Sequence, residues 1–249
     1  MASGPIDLST FNPTLLNCDI VSTKPSKPGD KARTVVKLSY GPSRRAIAFV
    51  TPPCVVDWPK LHGDGNFGTQ FGPTEVDKAQ YTMGVTDKLL PTGEHEMAPY
   101  FDALRAIDDA LVACVHANQK ELLSSRGLSK EEVRGKLQAT VKPKYEDDAL
   151  AYNRQNMSTR KFTWNGDERT LRITDVRKQP LAEPVAHQDV CVVATQVDCV
   201  YTGLMGSMFG IKWSIAEVML LKRAEHKPQP GSDAFVDYAV PSWAKADFP

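Results

Sequence analysis

Phe209, Ile211, Trp213 and Ile215 alternate with Gly210, Lys212, Ser214 and Ala216, the two-residue period of a strand with one buried face. Beyond Val218 the alternation gives way to a continuous apolar run, as expected where a strand is covered on both sides. Residues 190–201 read as a second long strand, rich in valine and threonine. Residues 202–208 join the two as a glycine-bearing loop of hairpin length. A terminal hairpin of this size needs a sheet or barrel to bury its apolar face.

The upstream chain supplies candidates. Residues 33–40 read as a strand, 41–44 as a turn and 46–50 as the returning strand. Residues 79–85 read as another strand, with Gly84 at a candidate bulge. Met97, Tyr100, Phe101, Leu104, Ile107, Leu111, Cys114 and Val115 recur at three and four, which predicts a long amphipathic helix carrying Asp102, Arg105, Asp108 and Asp109 on its other face. Ser129 and Glu132 form a capping box that opens a short helix through Val133 and Leu137. Residues 138–145 follow as a basic, aromatic strand, and 146–159 read as a loop. Residues 160–164 and 169–174 are strands around Asn165-Gly166-Asp167, a strong hairpin signal.

The sum is some eight strands with one long helix inserted centrally and no βαβ alternation. That predicts a mainly β, α+β protein built on a closed or nearly closed antiparallel barrel. Residues 1–30, with four prolines and little periodicity, read as an extended arm. The barrel is expected over 31–223 with its helical insertion at about 94–138, and the Pro-rich, polar stretch 224–249 reads as a flexible tail.

Composition narrows the function. Of 249 residues 41% are apolar and 24% charged, an ordinary globular balance. Thirty Lys plus Arg against thirty Asp plus Glu exclude a uniformly basic nucleic-acid binder but leave room for a local basic face. The start has no signal-peptide pattern, and no apolar run approaches a membrane span. Five cysteines, an odd number, three of them within apolar patterns, read as buried free thiols in a reducing intracellular compartment such as the nucleus or a viral replication site.

Catalytic motifs do not emerge. Gly63, Gly65 and Gly68 formally fit G-x-G-x-x-G, but Gly72-Pro73 soon after leaves no prompt helix to receive a phosphate. Asp64 and Asn66 lack the spaced glutamate of a calcium loop, and His95 and His116 lie too far apart for one metal. There is no G-x-S-x-G, H-E-x-x-H or C-x-x-C, so neither an enzyme nor a cofactor is expected. Basic residues interleaved with aromatics stand out instead, at 24–45, 141–145 and 160–172.

The order of elements carries a resemblance. Thr51-Pro52-Pro53 at a strand end, Trp58-Pro59 before Gly65-Asn66, Lys78-Ala79-Gln80-Tyr81-Thr82-Met83, Phe101 to Asp108 on the helix and Val141-Lys142-Pro143 form its body. Val197-Asp198-Cys199-Val200-Tyr201 with Phe209-Gly210-Ile211-Lys212-Trp213-Ser214-Ile215 closes it. Over about residues 30–222 the chain resembles a family from large DNA viruses of algae and other protists, relatives of the phage-type single-stranded DNA-binding proteins. The loop at 204–207 departs from that pattern in lacking a tryptophan, with Tyr201 the nearest aromatic. The resemblance implies an OB-like antiparallel barrel with one long and one short helix, and no catalysis.

Two functions follow. One is sequence-tolerant binding of single-stranded DNA in replication, recombination or repair, through a basic groove and stacking faces contributing roughly 1–3 kcal/mol per base. Lys37, Arg44, Arg45, Lys142, Lys144, Arg160, Lys161 and Lys212 are then the phosphate contacts, and Trp58, Phe67, Trp164 and Trp213 the platforms, with a core position the alternative for Trp213 because it alternates with Ile211 and Ile215. The tail, ending Asp247-Phe248-Pro249, would recruit replication proteins, and self-association stays open. The other is a virion or assembly subunit that uses the same barrel without nucleic acid. Convergence of the basic residues on one face discriminates between them.

Overall fold

The computed structural model of the chain describes residues 4–23, 33–62, 80–88, 96–146, 149–159, 172–181, 185–204 and 208–224. After two 3₁₀ turns, Leu8–Thr10 and Pro13–Leu15, come β1 (Leu16–Thr23), β2 (Arg33–Tyr40), β3 (Ala48–Val50), β4 (Cys54–His62) and β5 (Gln80–Thr86). Three helices follow, α1 (Ala98–Ala117), α2 (Gln119–Leu123) and α3 (Lys130–Arg134). The rest is β6 (Leu137–Gln138), β7 (Val141–Glu146), β8 (Ala149–Thr159), β9 (Arg172–Thr174), β10 (Val190–Leu204) and β11 (Met208–Lys222).

The long terminal hairpin is the antiparallel pair β10–β11, kept in contact from Val190↔Lys222 to Leu204↔Met208. Its outer edges complete a ring: β10 pairs β4, β4 pairs β5, β5 pairs β8, and β8 returns to β11 through a parallel contact at Ser158↔Ser214 and Thr159↔Ile215. Five strands thus close an OB-like barrel, which leaves none of them with an open edge along the ring. The predicted alternation of β11 points Phe209, Ile211, Trp213 and Ile215 into the core.

Helix α1 sits between the second and third strands of the ring and buries Tyr100, Phe101, Leu104, Ile107, Leu111, Val112 and Val115 against it. Pro99 occupies its first turn, where a missing N–H costs nothing. Tyr100 packs edge-on to Phe49 at 6.0 Å, and its hydroxyl donates to Gln155 Oε1 at 2.5 Å inside the barrel wall. The capping box is formed in full at α3, with Glu132 N to Ser129 Oγ at 3.2 Å and Ser129 N to Glu132 Oε2 at 2.7 Å.

Four expectations change. The short helix expected through Leu137 ends at Arg134, and Leu137 lies in β6, where it pairs with Phe209 of β11. The stretch 146–159, expected as a loop, contains β8, the strand on which the barrel closes. Its sequence hides this, because Gln155, a polar residue, takes an inward position beside Met157. The described part of the expected N-terminal arm is structured: Ile6 is buried, and β1 pairs along its whole length with β2. The expected 33–50 hairpin keeps its turn, with Tyr40 bridging Arg45 and Gly41 and Arg44 at positive φ, but β3 leaves β2 to pair with β10. The strand 160–164, the hairpin turn around Asn165 and the 224–249 tail beyond Ala224 lie outside the described residues.

Candidate nucleic-acid interface

Strand β8 decides what the outer wall presents. Gln155 and Met157 face the core, so by the two-residue period Tyr152, Arg154 and Asn156 face out. Strand β7 lies antiparallel beside it with Lys142 opposite Arg154 and Lys144 opposite Tyr152. Directly opposed residues share a face, so two exposed lysines stand next to an aromatic ring and a guanidinium. Lys88, just past β5, adds a third ammonium, its Nζ 4.2 Å from the centroid of the Tyr152 ring. Tyr145, 63% exposed, follows a register shift after Lys144 and extends the aromatic surface.

This wall is held rigidly. Asn153 donates through its backbone N and its side-chain Nδ2 to the two oxygens of Asp87, at 2.5 and 2.6 Å, and accepts from Arg105 Nη2 of α1 at 3.2 Å. Arg154 donates from Nη1 to Asp57 Oδ2 on β4 at 2.9 Å and from Nε to Asn156 Oδ1 at 2.6 Å. The Asp57 side chain is 1% exposed, and His187 Nδ1 lies 3.5 Å from its other oxygen. A β-carbon built on Gly84 would stand 2.7 Å from Arg154 Nε, so that glycine serves close approach of the arginine and not a bulge. The bulge is on β4, between Asp57 and Lys60. Ammonium groups facing outward on such a wall neutralise phosphates, and an exposed ring beside them accepts a base.

The sequence-predicted residues divide. Lys142 and Lys144 come together on this wall. Lys37, Arg44 and Arg45 belong to β2 and its turn instead; Arg44 pairs with Asp19 of β1, and Arg45 lies over the Tyr40 ring at 5.4 Å. Lys212 on β11 is half-buried and 3.6 Å from Asp198. Trp58 belongs to β4, while Phe67, Arg160, Lys161 and Trp164 lie outside the described residues. Trp213 corrects an expectation: it is 2% exposed, stacks on Phe49 at 6.2 Å and donates from Nε1 to Thr140 Oγ1 at 3.3 Å. Its alternation with Ile211 and Ile215 places it on the core side, where no base reaches it. Tyr201 is half-buried across from Gly210.

No protein-family model and no curated protein matches the chain. Among solved structures it is similar to gp2.5, a single-stranded DNA-binding protein encoded by bacteriophage T7, with a TM-score of 0.48 and 10% identity over 79% of this chain and 97% of that one. It is also similar to the single-stranded DNA-binding protein from bacteriophage Enc34, with a TM-score of 0.39 and 13% identity over 87% and 99% of the two chains. The same Enc34 protein in complex with ssDNA gives 0.38 and 11% over 83% and 97%. Likenesses of this size carry no weight by themselves, and the barrel rests on its own strand pairing.

Tyr152, Arg154 and Asn156 were not legible as site residues, because β8 carries no apolar alternation to announce it, and Lys88 joins them only through the Tyr152 ring. The available signal was Tyr152 and Arg154 at a two-residue spacing beside the basic 141–145 strand. Among the described residues no cluster of three or more His, Cys, Asp or Glu is placed to hold a metal, and no helix is long and apolar enough to cross a membrane.

Proposed function

We propose that the chain binds single-stranded DNA without catalysis, along the outer wall formed by β5, β8 and β7. The observation that carries this is the gathering of Lys88, Lys142 and Lys144 on the wall that carries Tyr152, with Lys88 over its ring and Lys144 opposite it. On an OB-like barrel the face of the second and third strands serves for oligonucleotides, and here those strands are β5 and β8. The ammonium groups track phosphates while the ring receives bases, a division that gives sequence-tolerant binding. The reading extends to replication, recombination or repair of the genome of a large DNA virus of algae or protists, within a reducing intracellular compartment, with replication proteins as partners of the 224–249 segment. An assembly subunit that ignores nucleic acid has no need to gather these cations on one wall.

Fluorescence anisotropy of a labelled oligo-dT, at low and then physiological salt, tests the reading. Submicromolar binding is expected at low salt, weakening as salt rises. Lys142→Ala/Lys144→Ala should lower the slope of log affinity against log salt by about 1.4, at about 0.7 per lost single-strand phosphate contact. Absence of binding at low salt would sink the proposal and leave the assembly reading.

A further inference from the structure

Among the described residues of this wall, Arg154 is a cation laid down along the sheet. It starts on β8 and ends at Asp57 on β4, with β5 between them. Two strand spacings separate the backbones by about 9.6 Å, a gap that Arg154, Asp57 and the hydrogen bond between them close only if the arginine lies along the surface. Gly84 makes the passage possible: Arg154 Nε and Cδ would be 2.7 and 3.3 Å from a β-carbon there, so the arginine occupies the volume any other residue would fill. Two in-plane donors are engaged, Nε by Asn156 and Nη1 by Asp57. The side chain packs over the Gly84 backbone and keeps 18% exposure on the outer side of the wall. The buried Asp57 carboxylate offsets its charge.

From this geometry we propose that Arg154 is a base-stacking platform, paired with Tyr152 two residues along β8, and that it does not act as a phosphate clamp. The inference rests on the single-strand reading and assigns to it a nucleobase subsite. A guanidinium whose charge is already paired adds little to the attraction of a polyanion. Its planar face still attracts a base ring, as arginine planes do in single-strand recognition. Asp57, Asn156 and Gly84 are positioning residues that fix the plane. Lys88 and the lysines of β7 supply the salt-dependent part of affinity, and Arg154 with Tyr152 the salt-independent part.

The test compares the full chain with Asp57→Asn/Arg154→Gln, a pair of changes that leaves net charge unaltered and strands no buried carboxylate. Binding is measured by anisotropy on oligo-dT and on an abasic oligonucleotide of the same length, each across a salt series. The double variant should bind oligo-dT about 5- to 150-fold more weakly, the loss of one base stack, with the salt slope unchanged. On the abasic strand the two proteins should bind alike. Arg154→Lys, which keeps the ion pair and removes the plane, should lose affinity for oligo-dT in the same way and covers the case in which the double variant fails to fold. A slope reduced by about 0.7 would mark a phosphate contact and overturn the proposal. So would an equal loss on the abasic strand, or no loss at all. Failure of the unaltered chain to bind oligo-dT would instead remove the single-strand reading beneath it.

Discussion

Thr140 joins the barrel to its helix through one hydroxyl. Its Oγ1 accepts from Trp213 Nε1 at 3.3 Å and donates to Asp108 Oδ1 at 2.7 Å, while its backbone N donates to Asp108 Oδ2 at 2.7 Å. All three residues are buried. Thr140→Val keeps the shape and orphans an indole N–H and a carboxylate oxygen, so a loss of about 1–3 kcal/mol is expected in urea unfolding. Burial pushes the Asp108 carboxyl above the usual range, against the lowering effect of the two bonds from Thr140. A raised folded-state value means that this group's contribution to stability is complete below its unfolded value, near 3.8, and is lost as pH rises through the folded one. Asp108→Asn removes that dependence. Its stability relative to the unaltered protein should therefore rise between about pH 3.5 and pH 7, measured by urea midpoints across the range. A flat difference would show that Asp108 titrates normally. None of this chain was legible in advance. Asp108 belongs to the polar face of the predicted helix, and only the approach of residue 140 turns it inward.

At the scale of elements, local signals were reliable where a few adjacent residues complete the interaction. The capping box needs only Ser129 and Glu132, and both of its bonds are present. Ser129→Ala should cost about 1 kcal/mol, seen as a lower urea midpoint with unchanged slope. A neutral outcome would mean that packing of Val133, which is fully buried, holds α3 without its cap. The 20-residue α1 was likewise visible, because its apolar spacing repeats over five turns. Strand β8 was not. Its inward Gln155 is stabilised by the hydroxyl of Tyr100, 55 residues away in sequence, and a pattern search cannot see such a partner. The partner of β3 was misjudged for a related reason. The turn at 41–45 formed as expected, yet β10 offered β3 a longer-range pairing that hairpin logic does not weigh.

For the molecule as a whole, ring closure divides the cysteines. Cys54 and Cys191 face each other where β4 meets β10, with Cys54 Sγ donating to Cys191 O at 3.3 Å, and Cys199 is exposed. Burial pushes the Cys54 thiol up to about 12 and raises Cys191 as well, so neither forms a reactive thiolate near neutral pH. An aromatic disulfide reagent should label Cys199 in the native protein and reach Cys54 and Cys191 only as the barrel unfolds. Labelling of Cys54 in the native protein would mean that the seam opens locally. By itself the sequence determined the long hairpin, the helix and its inserted position, the cap and the basic character of β7, because each follows from periodicity or from neighbours within a few residues. The tertiary structure alone decided that β8 closes the ring, and that Lys88, Tyr152 and Arg154 share a wall with Lys142 and Lys144. Those outcomes depend on pairings between residues far apart in sequence, and on a glycine whose purpose is to leave room for a side chain from another strand.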